Sequence, residues 1–148
     1  SLSRKKFLFL RYPNAIRPWQ HVIEPLYGYI LLLMKIATNK KKPTYGSWNF
    51  GPQKKNNIEV RKIIFILNKN LGNKVKIKEN NNIKNLFKES KMLRLSSKKS
   101  KKTLGWMPKY NILKSLKMII EWMDHYKLKK RNLLNLTQNQ IKDYLNQF

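Results

Sequence analysis

Cysteine is absent from all 148 residues. That excludes a disulfide framework and any thiolate zinc site, and it fits a reducing compartment. Alanine occurs only at Ala15 and Ala37, and Asp and Glu together number seven. The five glycines fall in no glycine-rich nucleotide loop after a strand, and no P-loop, HExxH, Gly-x-Ser-x-Gly or EF-hand pattern occurs. His21 and His125 are far apart in sequence and make no metal site, and the carboxylates offer no pair with acid/base spacing. The longest apolar run, Ile30-Leu31-Leu32-Leu33-Met34, is too short to span a bilayer. Phe7-Leu8-Phe9-Leu10 ends at Arg11 with no small-residue cleavage site, so the segment resembles a signal peptide only superficially. On these residues alone, no catalytic machinery is present.

What abounds is positive charge, with 33 Lys and Arg and a formal net charge of +26. A basic, non-enzymatic nucleic-acid-binding protein is therefore one reading, since such a surface recruits phosphates by counterion release. Arginine, however, stands only at positions 4, 11, 17, 61, 94 and 131, and the other basic residues are lysines. Nucleic-acid readers favour the arginine fork, whereas a chain rich in Lys, Asn and Ile and poor in Ala reflects A/T-rich codons. Compositional drift therefore outweighs dedicated nucleic-acid binding. At 148 residues and 41% hydrophobic, the chain is long and apolar enough for one domain or a large piece of one. It starts at Ser1 without Met and reads as part of a longer protein.

Hydrophobic periodicity alternates between strands and helices. Lys6 to Arg11 reads as a short buried strand, and His21 to about Thr38 as a helix with Val22, Leu26, Tyr29, Ile30, Leu33 and Ile36 facing a core. After a basic loop from Asn39 to Pro43, Trp48-Asn49-Phe50 reads as a strand ended by Gly51-Pro52. Asn57 is positioned to cap a helix from Ile58 to about Leu71, with Val60, Ile63, Ile64 and Leu67 inward and Gly72 as its stop. Lys74 to Lys78 alternates like a half-exposed strand, and Glu79 to Lys91 reads as a loop with a helical turn. Met92 to Leu95 is a short strand, and Ser97 caps a brief helix closing at Leu104-Gly105-Trp106. Asn111 opens the clearest helix, to about Lys130, with Ile112, Leu116, Ile119, Ile120 and Met123 on one stripe; Thr137 caps a last helix. The order implies an α/β or α+β chain. So few strands suggest the tail of a larger sheet plus a small lobe, and apolar faces left without partners would make the isolated chain marginally soluble.

Arg11 to Glu24 is the segment richest in chemistry. Arg17 lies between Pro13 and Pro18 on a stiff loop, with Trp19 two positions on and a helix start just beyond. An arginine fork, an aromatic wall and helix amides suit an anion with a sugar. On these residues alone a structural role is the favoured reading, with Arg17 paired to Glu24 and Trp19 in the core. His21 reads as a capping or buried, hydrogen-bonded residue, and His125 as a surface one.

The stretch R-Y-P-N-A-I-R-P-W-Q-H-V-I-E-P-L-Y-G-Y-I-L-L resembles a segment of the CDP-glucose 4,6-dehydratase branch of the extended short-chain dehydrogenase family. In the same order, Trp48-Asn49-Phe50-Gly51-Pro52 resembles that family's W-N-F-G-P turn, and Leu93-Arg94-Leu95 with Lys99 its late strand and Ser-Lys helix. Leu104-Gly105-Trp106-Met107-Pro108 is similar to its L-G-W-x-P turn, Glu121-Trp122 to the E-W of its last long helix, and Leu136 to Ile141 to a terminal L-T-x-x-Q-I.

The resemblance implies the carboxy-terminal portion of an extended, Rossmann-type α/β fold over 1–148, holding its last sheet strands and the small, mostly helical substrate-binding lobe. Family enzymes convert CDP-glucose to a 4-keto-6-deoxy sugar nucleotide with tightly held NAD, as cytoplasmic homodimers serving O-antigen synthesis. By resemblance the substrate-binding set is Arg17, near the diphosphate, with Trp19, Gln20, Asn49, Lys88 and Glu89. The family's NAD loop and Tyr-x-x-x-Lys pair lie upstream of Ser1, so no catalytic, cofactor-binding or metal residue is expected here, and no membrane or nucleic-acid partner. Ser96 replaces an acidic residue and Lys88 a histidine of the family pattern, which keeps open a decayed remnant without activity.

Overall fold

The computed structural model describes residues 7–38, 46–73, 75–79, 90–128 and 132–148. The chain divides into two compact units, Ser1–Pro18 with Asn57–Arg94, and Trp19–Asn56 with Leu95–Phe148. Among the described residues, all the strands fall in the first unit and four of the five α-helices in the second. The chain is thus mixed α/β.

In the first unit, β1 (Phe7–Leu10) pairs in parallel with β4 (Lys76–Glu79), from Phe7 opposite Lys76 to Leu10 opposite Glu79. Parallel neighbours need a long crossover, and helix α2 (Val60–Asn70) lies on the connecting stretch. The Arg61 guanidinium ties α2 to β4 through Glu79, 3.2 Å away. β2 (Ile16–Pro18) and β3 (Asn57–Glu59) form a separate antiparallel ribbon. Val60 and Arg61 donate their amides to Ala15 and Pro13 carbonyls at 3.0 and 2.9 Å, which fixes the start of α2 against the ribbon. Ile63 and Val75 are buried, as their patterns require.

Several sequence expectations change here. The helix expected from Ile58 begins at Val60, because Asn57 and Ile58 pair with Pro18 and Arg17 instead of capping it. β1 is not buried throughout: Leu10 is, while Phe9 is exposed. Met92 to Leu95 forms one bridge, Ile16 to Met92, and no strand. Lys74, most of the loop expected over Glu79 to Lys91, and the basic loop expected over Asn39 to Pro43 lie outside the described residues.

The second unit is helical: α1 (Ile23–Thr38), a 3-10 turn (Lys54–Asn56), α3 (Lys98–Leu104), α4 (Ile112–Lys127) and α5 (Leu133–Leu145). Asn111 caps α4 by accepting the Lys114 amide at 2.9 Å, and Gly105 ends α3 in the left-handed region at φ 67°. Trp122 Nε1 donates to Thr137 Oγ1 at 3.1 Å and Gln140 Nε2 to the Met118 carbonyl at 3.2 Å. Rising numbers on one helix meet falling numbers on the other, so α4 and α5 run antiparallel. Thr137 is thus inside α5, not its cap. Trp48-Asn49-Phe50 is extended but unpaired, so the expected strand is a loop. Ser97 Oγ does not cap α3; it accepts from the Gly51 amide at 2.7 Å.

The largest correction concerns α1. Its six expected core residues are 48–65% exposed. The face that packs carries Ile23, Glu24, Tyr27 and Gly28. Gly28 lies against the Phe50 ring so closely that a Cβ would enter the ring's van der Waals shell. Periodicity identifies an apolar stripe, but a shorter stripe of mixed polarity won the packing because it carries Glu24. No helix among the described residues is long and apolar enough to cross a membrane.

Glu24 is 0% exposed. Its Oε1 accepts the Tyr110 amide at 2.6 Å and the Lys109 amide at 2.9 Å, and its Oε2 accepts the Tyr144 hydroxyl at 2.8 Å. The Glu24 carbonyl accepts Trp106 Nε1 at 3.0 Å. The first turn of α1 also favours a negative charge at this position. Burial and the neighbouring Glu24 carboxylate hold the Tyr144 hydroxyl well above the usual tyrosine range.

Glu24→Gln keeps the shape but turns one acceptor into a donor. It should destabilise the chain by on the order of 1–3 kcal/mol in denaturant melts, as for a buried polar group that loses its partner; an unchanged midpoint would contradict the arrangement. Conversely, Leu26→Gln with Leu33→Gln should shift stability by less than about 1 kcal/mol, as exposed sites do, while raising the saturation concentration of the chain.

Candidate functional site

Two units share out the residues expected to bind substrate. In the first unit, Arg17 is the middle residue of β2, partly buried, paired in register with Ile58. Strand geometry sends its side chain away from those of Ile16 and Pro18. The guanidinium Nη1 donates to the Ile16 carbonyl at 2.9 Å and the Ser90 carbonyl at 3.1 Å. These carbonyls fix the planar fork and tie it to the residue that follows Lys88 and Glu89. Lys88 and Glu89 themselves lie outside the described residues.

In the second unit, Trp19 is partly buried and donates its amide to the Asn56 carbonyl at 3.1 Å. Gln20 reaches the Trp48–Phe50 loop: its Nε2 donates to the Phe50 carbonyl at 2.6 Å. The other end of that amide, Oε1, is buried without a hydrogen-bond partner, and so is Trp48 Nε1. A buried acceptor or donor left unpaired costs free energy. Asn49 is exposed, and its carbonyl accepts Ser100 Oγ at 2.6 Å. The structure therefore brings Gln20 and Asn49 to one loop. Sequence inspection overlooked Trp48 and Ser90. Trp48 stood inside the W-N-F-G-P motif, where an indole nitrogen is the available signal; nothing local marked Ser90.

Glu24, named above as a possible partner of Arg17, has three hydrogen-bond donors of its own. Both of its carboxylate oxygens are committed inside the second unit, to two amides and a tyrosine hydroxyl.

Three segments meet in a groove of about 440 Å³ within the second unit: Gly51–Lys54, Leu95–Lys101 and Met107–Pro108. They come from three stretches that resemble family motifs. Gln53 Nε2 donates to the Pro108 carbonyl at 2.9 Å, joining the first wall to the third. Gly51 must be glycine, because a Cβ there would lie 2.6 Å from Leu95 Cβ. The Asn56 side chain completes the frame, donating to the Tyr110 carbonyl and accepting the Ile112 amide, both at 3.1 Å. Phe50 packs edge-on against Trp106 at 5.1 Å. Lys99 reaches the Ser47 carbonyl and covers the Trp48 ring at 4.2 Å.

His21 joins this frame to α1. It is buried, and its Nδ1 accepts the Ile23 amide at 3.3 Å, so it acts as the helix cap. Burial holds its imidazole below the ordinary histidine range. His125 Nδ1 lies 3.0 Å from the Glu121 carbonyl on an exposed stretch of α4.

Over 148 residues the chain is 30% identical to CDP-glucose 4,6-dehydratase of Salmonella typhimurium. The alignment takes in 98% of this chain and 39% of that protein, so the chain spans well under half the length of the curated relative it matches. No family model matches.

A cap that must stay neutral makes stability depend on pH. The His21 pKa is depressed on folding, so its contribution is complete above the ordinary value of about 6.5 and is lost as pH falls through the folded-state value. Thermal melts from pH 7.5 down to 5 should therefore fall more steeply for the wild type than for His21→Asn, which caps without titrating. Parallel curves would refute the assignment.

Proposed function

We propose that these residues form the nucleotide-sugar-binding part of a sugar-nucleotide 4,6-dehydratase acting on CDP-glucose. The observation that carries this reading is the match to the Salmonella typhimurium dehydratase along nearly the whole chain. In this reading residues 1–148 are the carboxy-terminal portion of an extended short-chain dehydrogenase fold. The short parallel pair β1–β4 suits the margin of a larger parallel sheet, since two parallel strands rarely stand alone.

Within that fold Arg17 is the diphosphate ligand. A guanidinium locked by two carbonyls presents its charge at a fixed position, so little side-chain entropy is lost on binding. Trp19 offers an aromatic wall for the sugar, with Gln20 next to it in the chain. Asn49, Lys88 and Glu89 complete the substrate set.

NAD is the family's hydride carrier. The described residues do not fit a dinucleotide cradle: β3 passes directly into α2, with no glycine from Asn57 to Asn70 to let a pyrophosphate approach the backbone. In this reading the residues bind and orient the substrate.

Isothermal titration of the chain with CDP-glucose tests the reading. Saturable binding is expected, weakened on the order of tenfold by Arg17→Lys, which keeps the charge but loses the fork. Chemical denaturation of the same variant separates this from misfolding. Absence of saturable binding, or equal affinity in the variant, would sink the proposal.

A further inference from the structure

The groove between Gly51–Lys54, Leu95–Lys101 and Met107–Pro108 has a chemistry of its own. Lys54, Lys98 and Lys101 line it, while Leu95, Met107 and Pro108 supply apolar wall. Lys98 and Lys101 are both exposed and stand three apart on α3, which places them on one face of the helix. Like charges so placed repel each other, and a bound anion relieves the repulsion. No Asp or Glu occurs in residues 46–56 or 90–120, so the segments that build the groove hold no carboxylate.

Its size and lining narrow the ligand. A volume of about 440 Å³ lies in the range of small-molecule sites, roughly 300–1,000 Å³. Sequence-independent single-strand binding relies on aromatic platforms for successive bases. Among the described residues, no aromatic side chain lines this groove. The walls are also braced: Gln53 to Pro108 and Ser97 to Gly51 are hydrogen-bonded across them.

We infer that this groove is a second anion site, which takes the phosphoryl group of a small phosphorylated molecule between Lys98, Lys101 and Lys54. It is built wholly within the second unit and is independent of the role proposed for Arg17.

Amide-resolved NMR of the 148-residue chain, titrated with pyrophosphate at low salt, tests it. Saturable shifts are expected at residues 53–54 and 96–101. Lys98→Ala with Lys101→Ala should weaken them on the order of tenfold. Lys117→Ala with Lys127→Ala, which removes the same charge from exposed positions of α4, should change affinity less than about twofold, since distant surface charges are screened. Arg17→Lys should leave these shifts unchanged, so failure here is distinct from failure at Arg17. Shifts that do not saturate, or equal losses in the two lysine pairs, would overturn the site. So would tighter binding of a single-stranded oligonucleotide through the same lysines, which would make the groove a nucleic-acid contact.

Discussion

The buried Glu24 carboxylate is the contact on which the helical unit depends. A lone carboxylate in an apolar interior is among the least favourable groups a protein can bury. Here the turn after α3 supplies two amides, α5 supplies the Tyr144 hydroxyl, and the α1 N-terminus supplies its dipole. Three elements distant in sequence are thereby bound to one side chain. Tyr27 and Phe148 stack at 4.3 Å beside it, and Tyr110 meets Tyr144 edge-on at 5.1 Å. The aromatic cluster is thus arranged around a polar centre.

That centre also explains the groove. Trp106 is held by the Glu24 carbonyl and Tyr110 by its carboxylate. The residues between them, Met107 and Pro108, have little freedom and form a fixed wall. Asn56 repeats the device on a smaller scale, satisfying a carbonyl before α4 and an amide in its first turn. Buried polar groups whose partners come from several elements fix one arrangement more sharply than apolar packing does, because a shift breaks directional bonds.

Local chemistry was legible wherever cause and effect lie within a few residues. Asn111 reaches Lys114, Gly105 adopts its left-handed turn, His21 caps α1, and Val75 is buried beside β4, all as their spacing implied. What failed needed a distant partner. Trp48–Phe50 has strand composition but no neighbour to pair with, and Asn57 was drawn from capping to pairing with Pro18. The α1 stripe failed for the same reason: its period states that one face is apolar, not that anything covers it. Of the candidate site, Arg17, Gln20 and Asn49 could be named from motifs, while the unpaired Trp48 indole nitrogen and the Ser90 carbonyl on Arg17 could not.

The amino-acid sequence by itself determined the helices, the caps at His21 and Asn111, the excess of lysine and the likeness to a dehydratase, since these follow from composition and short-range order. Only the tertiary structure decided that Glu24 is buried at a centre and that three separate segments close one groove. It also decided that α1 turns its mixed face inward. Those outcomes depend on which distant groups satisfy a buried charge, and such satisfaction is a property of three-dimensional proximity that no local pattern encodes.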